Sequence, residues 1–328
     1  MDQFPYINSE FMESNTDFKE LINALKKGFS KKTVETPMRH HHDYPNPEEE
    51  IDSTLLLMPS WEAGKDLGVK IVSVNPHNGK FNLPSIQGTY IYIDGHKGTV
   101  RAILDAKALT AKRTAAASAL AASYLAKSDA STMLMLGTGA LSVNLIKAHA
   151  CVRPIKKVFV WGRNFKKAKL IAGQFEDLAI EVIPVEDYLQ TLPEADIISC
   201  ATLSKEPLVP GKLLRPGQHL DLVGAYKKDM READDEAVIR SVIFLDTYQG
   251  GLKESGDIVI PMRLGILQES DVKADLFELC SGSKKGRASN QEITFFKSVG
   301  HASEDLIGAR YFYGQWEAIK QSNNEKVS

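Results

Sequence analysis

The chain has 328 residues, enough for two domains or one large one. Its 40 Lys and Arg residues nearly balance its 42 Asp and Glu residues, so the charge gives no support for a nucleic-acid-binding or membrane-surface protein. The three widely spaced cysteines (Cys151, Cys200, Cys280) and the acidic start without a long apolar stretch lead us to expect a cytoplasmic protein without a targeting peptide.

The first part of the chain predicts one helix followed by a sheet. Residues 16–29 place five apolar side chains on one helical face, with Asn15 or Thr16 as the cap. Four strand-like runs follow without a helical pattern between them, which predicts an antiparallel or mixed sheet. An Ala-rich stretch at 106–127 then predicts a long helix. The four runs are 53–58, 69–74, 89–94 and 99–104, with a hairpin turn at 95–98.

The middle of the chain alternates between short apolar strands and helices, which predicts a doubly wound parallel sheet with helices on both faces. The predicted strands are 132–136, 157–161, 180–185, 196–201, 219–224 and 242–246, and the predicted helices are 141–150, 164–176, 186–191 and about 229–240. The alternation ends near residue 295. A last helix at 303–320 is expected to return to the first domain, which makes that domain discontinuous.

A glycine-rich turn follows the first strand of this alternating region. Gly137 permits a tight turn, and Gly139 lets a phosphate approach the backbone. Ser142 stands at the third position of the dinucleotide-binding fingerprint, which is usually Gly or Ala. The strand before the turn and the helix after it favour a nucleotide site, because the first turn of such a helix offers free N–H groups to a pyrophosphate.

The end of the second strand of this region indicates the type of cofactor. NAD-preferring sites usually have an acidic residue there, which binds the ribose 2′-hydroxyl. This chain has Arg163 and Asn164 instead, with Lys166 and Lys167 close by. An Arg suits a 2′-phosphate by its charge and by its fork of donors. The sequence therefore favours NADP(H), with NAD(H) as the alternative.

Several segments together resemble the ornithine cyclodeaminase/mu-crystallin family over nearly the whole chain. They are LLLMPSW (55–61), GVKIVSVNPHN (68–78), LPSIQGTYIYID (83–94), LTAKRTAAASALAASYLA (109–126), LGTGALS (136–142), VGAYKKDMREADDE (223–236) and FFKSVGHASEDL (295–306). The resemblance implies an α/β protein in which a doubly wound Rossmann domain is inserted into a discontinuous α+β domain. The expected domains are 1–125 plus 300–328 for substrate binding and dimerisation, and 126–299 for NAD(P) binding.

The resemblance also implies which residues carry function. Lys70 is the expected catalytic residue, and the expected substrate-binding residues are Arg39, Lys70, Ser85, Arg113, Val299 and Gly300. Arginine is well suited to this role because it binds a carboxylate bidentately. The expected cofactor-binding residues are Arg113, Thr114, Gly137, Thr138, Gly139, Ala140, Leu141, Arg163, Asn164, Lys167, Ala201, Thr202, Val223 and Gly224.

One departure bears on the reaction. Ornithine cyclodeaminases carry an acid two residues after the Gly of the Val-Gly turn, where this chain has Tyr226. Asp229 and Arg231 come later and are expected to start and support the next helix. Without that acid, we expect a plain reduction: an NAD(P)H-dependent ketimine reductase that converts Δ1-pyrroline-2-carboxylate to L-proline, or its six-membered homologue Δ1-piperideine-2-carboxylate to L-pipecolate. Lys70, His301 and solvent are the candidate proton donors.

Other functions within the family remain as alternatives. They are an ornithine cyclodeaminase, an alanine dehydrogenase, and a non-enzymatic protein that binds NADPH and a hormone, like the crystallin members. The triplet His40–His42 does not predict a metal site, because neighbours on an extended chain point to opposite sides. The expected partners are a small imino acid and a second copy of the chain, with no nucleic acid, membrane or metal.

Overall fold

The computed structural model describes residues 4–176 and 179–325. The chain divides into two compact units. The first unit contains both chain ends, up to residue 113 and from residue 301 onward, and the second unit is the continuous segment 114–300.

The first division of the chain lies inside a long helix, twelve residues before the limit expected at residue 125. The end of this helix interacts within the second unit. Arg153 donates hydrogen bonds to the backbone carbonyls of Ala122, Ser123 and Ala126. Arg287 donates another to the carbonyl of Leu125. These arginines satisfy carbonyls at a helix end that have no partner inside the helix.

The described residues form ten α-helices and fifteen β-strands, numbered here in chain order. The helices are α1 (Ser9–Ser14), α2 (Phe18–Lys31), α3 (Ala106–Leu125), α4 (Ser142–Val152), α5 (Phe165–Ala172), α6 (Asp235–Ile239), α7 (Tyr248–Glu254), α8 (Gly256–Arg263), α9 (Leu276–Ser281) and α10 (Ala302–Glu325). The strands are β1 (Tyr6–Ile7), β2 (Val34–Glu35), β3 (His40–Tyr44), β4 (Ser53–Glu62), β5 (Asp66–Val74), β6 (Ile86–Asp94), β7 (Val100–Asp105), β8 (Thr132–Leu136), β9 (Lys157–Trp161), β10 (Glu181–Pro184), β11 (Ile197–Cys200), β12 (His219–Leu222), β13 (Ser241–Leu245), β14 (Val272–Asp275) and β15 (Ile293–Lys297). Over the described ranges, none of the helices has both the length and the apolar character that a bilayer crossing requires.

The sheet of the first unit has the strand order β1-β7-β6-β5-β4-β2, and β3 also pairs with β4. All neighbours are antiparallel except β1 and β7. The four predicted strands and the predicted helix α3 are therefore confirmed. At the predicted hairpin turn, the Asp94 carboxylate accepts hydrogen bonds from the backbone N–H groups of His96 and Lys97. The short strands β1, β2 and β3 were not predicted, because none carries an alternating apolar pattern.

Helix α2 buries the predicted face, which consists of Phe18, Leu21, Ile22, Leu25 and Phe29. The predicted cap was wrong, because Asp17 is the N-cap and its carboxylate accepts from the backbone N–H of Lys19 at 2.8 Å. Asn15 and Thr16 instead bond back to helix α1, where they close its last turn.

The sheet of the second unit is entirely parallel, with the order β10-β9-β8-β11-β12-β15-β13-β14. The direction of winding reverses between β8 and β11, the usual place of a ligand crevice in such sheets. Strands β8, β11 and β12 are almost completely buried, as expected for a parallel sheet covered on both faces, and in β12 the polar His219 and Asp221 are buried as well. The predicted doubly wound fold is confirmed.

Two predicted helices of the second unit were wrong in whole or in part. Residues 186–191 form turns, and a short 3-10 helix follows at Leu192–Glu194. The helix expected from about residue 229 begins at Asp235, because Asp234 caps it by accepting from the backbone N–H of Ala237. The alternation also continues beyond β13, through α7, α8, β14 and α9 to β15. Strand β15 lies between β12 and β13, a crossover that no local pattern reveals.

Candidate functional site

The second unit contains a pocket of about 540 Å3 at the carboxyl ends of β8, β9 and β11. This is the switch point of the sheet, where a doubly wound domain binds a nucleotide. The pocket is lined by Gly137, Thr138, Gly139, Trp161, Gly162, Arg163, Asn164, Lys167, Ala201, Thr202, Leu203, Ser204 and Leu208. Eight of these were predicted to bind the cofactor.

The glycine-rich turn has the backbone geometry that such a site needs. Gly137 has a φ of +123°, and a Cβ built there would lie 2.7 Å from the carbonyl oxygen of Ala201, so only glycine fits. Gly139 has open space around its Cα. Ser142 is buried, and its hydroxyl donates to the carbonyl of Gly137 at 2.9 Å. This bond explains how a serine is accommodated at the third fingerprint position, because its hydroxyl stabilises the turn by bonding to the first glycine.

Helix α4 begins immediately after this turn, at Ser142. Its N-cap, Leu141, makes no side-chain capping bond, so N–H groups of the first turn have no capping side chain and remain available to an anion. Ala140 is exposed in the same turn. Thr114 is buried in the middle of α3.

The rim of the pocket beyond β9 is basic. Arg163 and Lys167 are exposed pocket-lining residues, and none of the described residues that line the pocket is an Asp or a Glu. Asn164 also has a structural task as the N-cap of α5, since its side chain accepts from the N–H of Lys166.

A buried carboxylate, which the sequence did not reveal, connects the loops on the other side of the pocket. Glu232 accepts from the backbone N–H and hydroxyl of Thr202 at 2.7 and 2.8 Å. Its other oxygen accepts from the backbone N–H groups of Gly224 and Ala225 at 2.9 and 3.2 Å. Val223 precedes them at the end of β12 and is buried. The loops after β11 and β12, both predicted to bind the cofactor, therefore share one anchor.

The first unit brings two of the predicted cations together on one acidic side chain. The Asp305 carboxylate lies 2.8 Å from the Lys70 Nζ and 2.9 Å from the Arg113 Nε. Arg113 also pairs with Glu304 at 2.6 Å. All four side chains are at least 95% buried. Lys70 comes from strand β5, Arg113 from helix α3, and the two acids from the first turn of α10.

The third predicted cation, Arg39, immediately precedes strand β3. His40 pairs with Leu57, and the next residue of β4, Met58, pairs with Lys70 on β5. Continuing the β3 register by one residue places Arg39 beside Met58, in the same cross-strand row as Lys70. The Arg39 charge contributes to lowering the pKa of Lys70, in agreement with this placement.

The charges of this cluster change the acidity of its members. Burial lowers the pKa of Lys70 to about 8, and the neighbouring Arg113 adds to the effect, while Asp305 opposes it. Burial alone would raise the pKa of Asp305, but Arg113 and Lys70 outweigh burial and hold that pKa below its ordinary value. The pKa of Lys70 is therefore closer to neutral pH than that of an ordinary lysine, and a general acid works best when its pKa lies near the operating pH.

The other predicted substrate contacts lie elsewhere in their units. Ser85 is exposed before β6, at the end of the β5–β6 pair that contains Val74, four residues from Lys70 along the strand. The structure therefore does not bring it to the cation cluster. Val299 and Gly300 follow β15, and both of their backbone N–H groups donate to the Asp246 carboxylate at 2.7 Å.

The remaining polar residues singled out in the sequence have structural contacts. The rings of His40 and His42 lie on one side of β3, 6.2 Å apart, and His41 alternates to the other side. In the ranges that the structure describes, no group of three or more His, Cys, Asp or Glu side chains could hold a metal ion. Asp229 does not start a helix but pairs with Lys205 at 2.8 Å.

Tyr226, at the position of the cyclodeaminase acid, is half-buried beyond the Gly224 turn. Arg231 supports helix α6 as predicted, by pairing with Asp235 in its first turn. Glu304 and Asp305 could have drawn attention in the sequence as adjacent acids at the start of a helix, but that pattern usually only complements the helix dipole. Glu232 and Asp246 carry no local signal, because most of their partners lie in other loops.

Comparisons with known proteins match nearly the whole chain. The sequence profile of the ornithine cyclodeaminase/mu-crystallin family matches residues 7–320. The chain is 34% identical to the Δ1-pyrroline-2-carboxylate reductase of Colwellia psychrerythraea, over 92% of this chain and 96% of that protein.

Two solved structures are similar over 97% of the chain. The Δ1-pyrroline-2-carboxylate reductase of Thermococcus litoralis, in complex with NADH and L-proline, has a TM-score of 0.88 and 35% identity, and 98% of that chain is covered. An archaeal alanine dehydrogenase dimer with bound NAD has a TM-score of 0.88 and 26% identity, and 97% of that chain is covered. The protein belongs to the ornithine cyclodeaminase/mu-crystallin family.

Proposed function

We propose that the protein is an NAD(P)H-dependent reductase of cyclic ketimines, with Δ1-pyrroline-2-carboxylate as substrate and L-proline as product. Δ1-piperideine-2-carboxylate, which has the same imine and carboxylate on a six-membered ring, is the second substrate. The observation that carries the proposal is the buried cation cluster of Lys70 and Arg113 on Asp305. Relatives named as pyrroline-carboxylate reductases, more than 30% identical over nearly the whole chain, support it.

The pocket of the second unit fits a dinucleotide. Gly137 and Gly139 leave the backbone accessible, and helix α4 offers its first turn to a pyrophosphate. Trp161, Leu203 and Leu208 supply the apolar lining that an adenine ring needs. A nicotinamide nucleotide bound here would supply the hydride for the reduction. We accordingly assign cofactor binding to the second unit and substrate binding to the first.

The charges of the first-unit cluster suit a single carboxylate. Arg39 lies in the same cross-strand row as Lys70 and adds a third cation to Lys70 and Arg113. A cyclic imino acid brings one carboxylate, which an arginine side chain can bind through two parallel hydrogen bonds. Arg113 is held at two points by Glu304 and Asp305, so the guanidinium is oriented before a substrate arrives.

We assign the proton transfer to Lys70. In the reduction, the ring carbon gains a hydride and the ring nitrogen gains a proton, so the C=N bond becomes an amine. The pKa of Lys70, near 8, leaves its ammonium protonated at neutral pH but able to release the proton. Lys70 would give this proton to the ring nitrogen and recover one from water.

The direct experiment is a panel of cyclic imino acids with NADPH and NADH. Purified protein is expected to oxidise reduced nicotinamide when Δ1-pyrroline-2-carboxylate is added, and Lys70→Ala should abolish turnover. Lys97→Ala, which removes an exposed lysine from the β6–β7 turn, is the matched control and should keep wild-type activity. Absence of turnover with either cofactor would refute the proposal.

The basic rim supports a preference for NADPH. Arg163 and Lys167 are available to a 2′-phosphate, although the similar structures hold NADH or NAD. Arg163→Ala should lower kcat/KM with NADPH about tenfold or more, the usual loss for a charged hydrogen bond, and leave kcat/KM with NADH within about twofold. Lys169→Ala, an exposed lysine of α5 that does not line the pocket, is the control. Equal losses with both cofactors would contradict a contact between Arg163 and the 2′-phosphate.

We also propose a homodimer formed through the sheet of the first unit. One face of this sheet carries Lys70 and Tyr90 beneath helix α10, and the other carries a row of half-exposed apolar side chains. This row runs through the paired residues Pro59, Val69, Ile91 and Ile103. Such a contiguous patch is typical of an interface, and the similar alanine dehydrogenase is a dimer.

Light scattering after size-exclusion chromatography tests the dimer. The wild-type protein should have twice the chain mass, and Val69→Lys should be a monomer because it places a charge in the middle of the row. His96→Lys, in the exposed hairpin turn, should remain dimeric. A wild-type monomer would contradict this part of the proposal.

The three widely spaced cysteines support a cytoplasmic location, which localisation of a tagged chain would test.

A further inference from the structure

We propose that Glu232 is a positioning residue that holds the two cofactor-binding loops after β11 and β12 in one arrangement. This inference rests on the proposed function, since it concerns the same nucleotide site. Glu232 lies between β12 and α6 and is completely buried. Its carboxylate accepts four hydrogen bonds, two from Thr202 and one each from Gly224 and Ala225.

The two loops that share this carboxylate form part of the crevice edge. Ala201, Thr202 and Ser204 line the nucleotide pocket, and β11 and β12 are neighbouring parallel strands. The loops are also in direct contact, because a Cβ built on Gly224 would lie 2.0 Å from the carbonyl oxygen of Thr202. The Glu232 carboxylate therefore sets the positions of backbone groups at the edge of the pocket without lining it.

Glu232 lies beside other buried charged side chains, and removing these charges from water costs free energy. This cost argues that Glu232 does more than fill space in the core. Lys297 on β15 lies 3.0 Å from Asp257 and 3.8 Å from Glu232, and all three side chains are completely buried. Asp257 in turn accepts from the backbone N–H groups of Glu232 and Ala233. Two acids share one cation, so a net negative charge is buried whenever both acids are ionised. Burying charges usually costs more than packing apolar groups of the same size.

The raised pKa of Glu232 has the same cause, the burial of its charge. Burial raises the pKa of its carboxyl to about 7, although Lys297 opposes the effect. The four donors demand an acceptor on both oxygens, so only the ionised carboxylate satisfies them all. An amide at this position would retain one acceptor oxygen for Thr202, but it would point an NH2 group at the N–H groups of Gly224 and Ala225.

The test combines binding and amide hydrogen exchange of wild-type protein, Glu232→Gln and Glu236→Gln. Glu236 is exposed on α6, so its variant makes the same chemical change without touching the loops. Glu232→Gln should raise the Kd for NADPH about tenfold or more, the scale expected for losing bonds to a charged acceptor. Exchange at Gly224 and Ala225 should accelerate without cofactor, while strand β8 stays protected. The KM for NADPH should rise while kcat stays within about threefold.

A second variant keeps the idea testable if Glu232→Gln fails to fold. Thr202→Val removes, at constant volume, the hydroxyl that donates to Glu232 at 2.8 Å and accepts a longer bond of 3.4 Å from the backbone N–H of Ser204. It should raise the Kd for NADPH by a smaller factor, about threefold. Wild-type affinity together with unchanged exchange in Glu232→Gln, or wild-type affinity in Thr202→Val where Glu232→Gln is unfolded, would overturn the inference alone. If the wild-type protein binds neither NADPH nor NADH, the proposed function falls and the inference with it.

Discussion

Replacing Asp305 with Asn should move the pH dependence of the reaction. Asp305 is the partner that most strongly keeps the proton on Lys70, at an Nζ–carboxylate distance of 2.8 Å. The amide removes the charge and keeps the shape, and its oxygen can still accept from the Arg113 Nε. Burial and Arg113 then lower the pKa of Lys70 without opposition, so it falls further below its present value near 8.

The size of the effect follows from ordinary pair interactions. A charge partner at this distance shifts a pKa by about 1–3 units, so the pKa of Lys70 should fall to about 5–7 in the variant. With a shift of two units, the protonated fraction at pH 7.5 drops from about three quarters to about 3%, a roughly 25-fold loss of rate. At pH 5.5 the wild type and the variant should differ much less.

The assay is kcat with Δ1-pyrroline-2-carboxylate and NADPH between pH 5 and 9.5. Glu304→Gln is the matched control, because Glu304 pairs with Arg113 in the same cluster but is not among the main influences on the pKa of Lys70. Titration of the substrate itself is common to all variants and cancels in the comparison. An alkaline limb that stays in place in Asp305→Asn, or moves equally in Glu304→Gln, would refute the assignment of the proton to Lys70.

Three further predictions concern stability, cofactor binding and the type of reaction. Lys70→Met should abolish activity and change how stability depends on pH. The folded pKa of Lys70, about 8, lies below the unfolded value of 10.5, so this residue lets the free energy of unfolding of the wild type rise between pH 8 and pH 10.5. Denaturant titrations at pH 7 and pH 10 should show a smaller rise in Lys70→Met than in the wild type. The prediction fails if the stability of Lys70→Met rises between pH 7 and pH 10 as much as that of the wild type. Gly137→Ala should abolish NADPH binding in a fluorescence titration, since its Cβ meets the Ala201 carbonyl, and near-normal affinity would contradict the role of this turn. Ornithine with NAD should release no ammonia, because Tyr226 stands where cyclodeaminases have an acid, and measurable ammonia would revive that alternative.

Much of the fold could be read from the order of the residues. Apolar spacing revealed helix α2 and its buried face, and alanine content revealed helix α3. The glycine turn at Gly137 could be placed because a strand ends directly before it and a helix begins soon after. These features depend on residues close together in the chain, so local patterns contain the necessary information.

The order of the strands in the second sheet could not be read in this way. Strand β15 lies between β12 and β13, and this position depends on which edges meet after the intervening helices have packed. The predicted start of the helix near residue 229 was also wrong, here for a local reason. The side chain of Asp234 caps the helix, so that it begins at Asp235.

In the candidate site too, some features could be predicted from the sequence and others depend on the folded structure. The resemblance to the family pointed to Lys70 and Arg113 as cations but not to their partners, because Arg113 and Asp305 are 192 residues apart. Likewise, Glu232 has no distinctive neighbours in sequence, and its importance arises from four donors in two other loops. Periodicity and composition determine which faces are buried, whereas the pairing of buried charges depends on distances between elements, which exist only once the chain has folded.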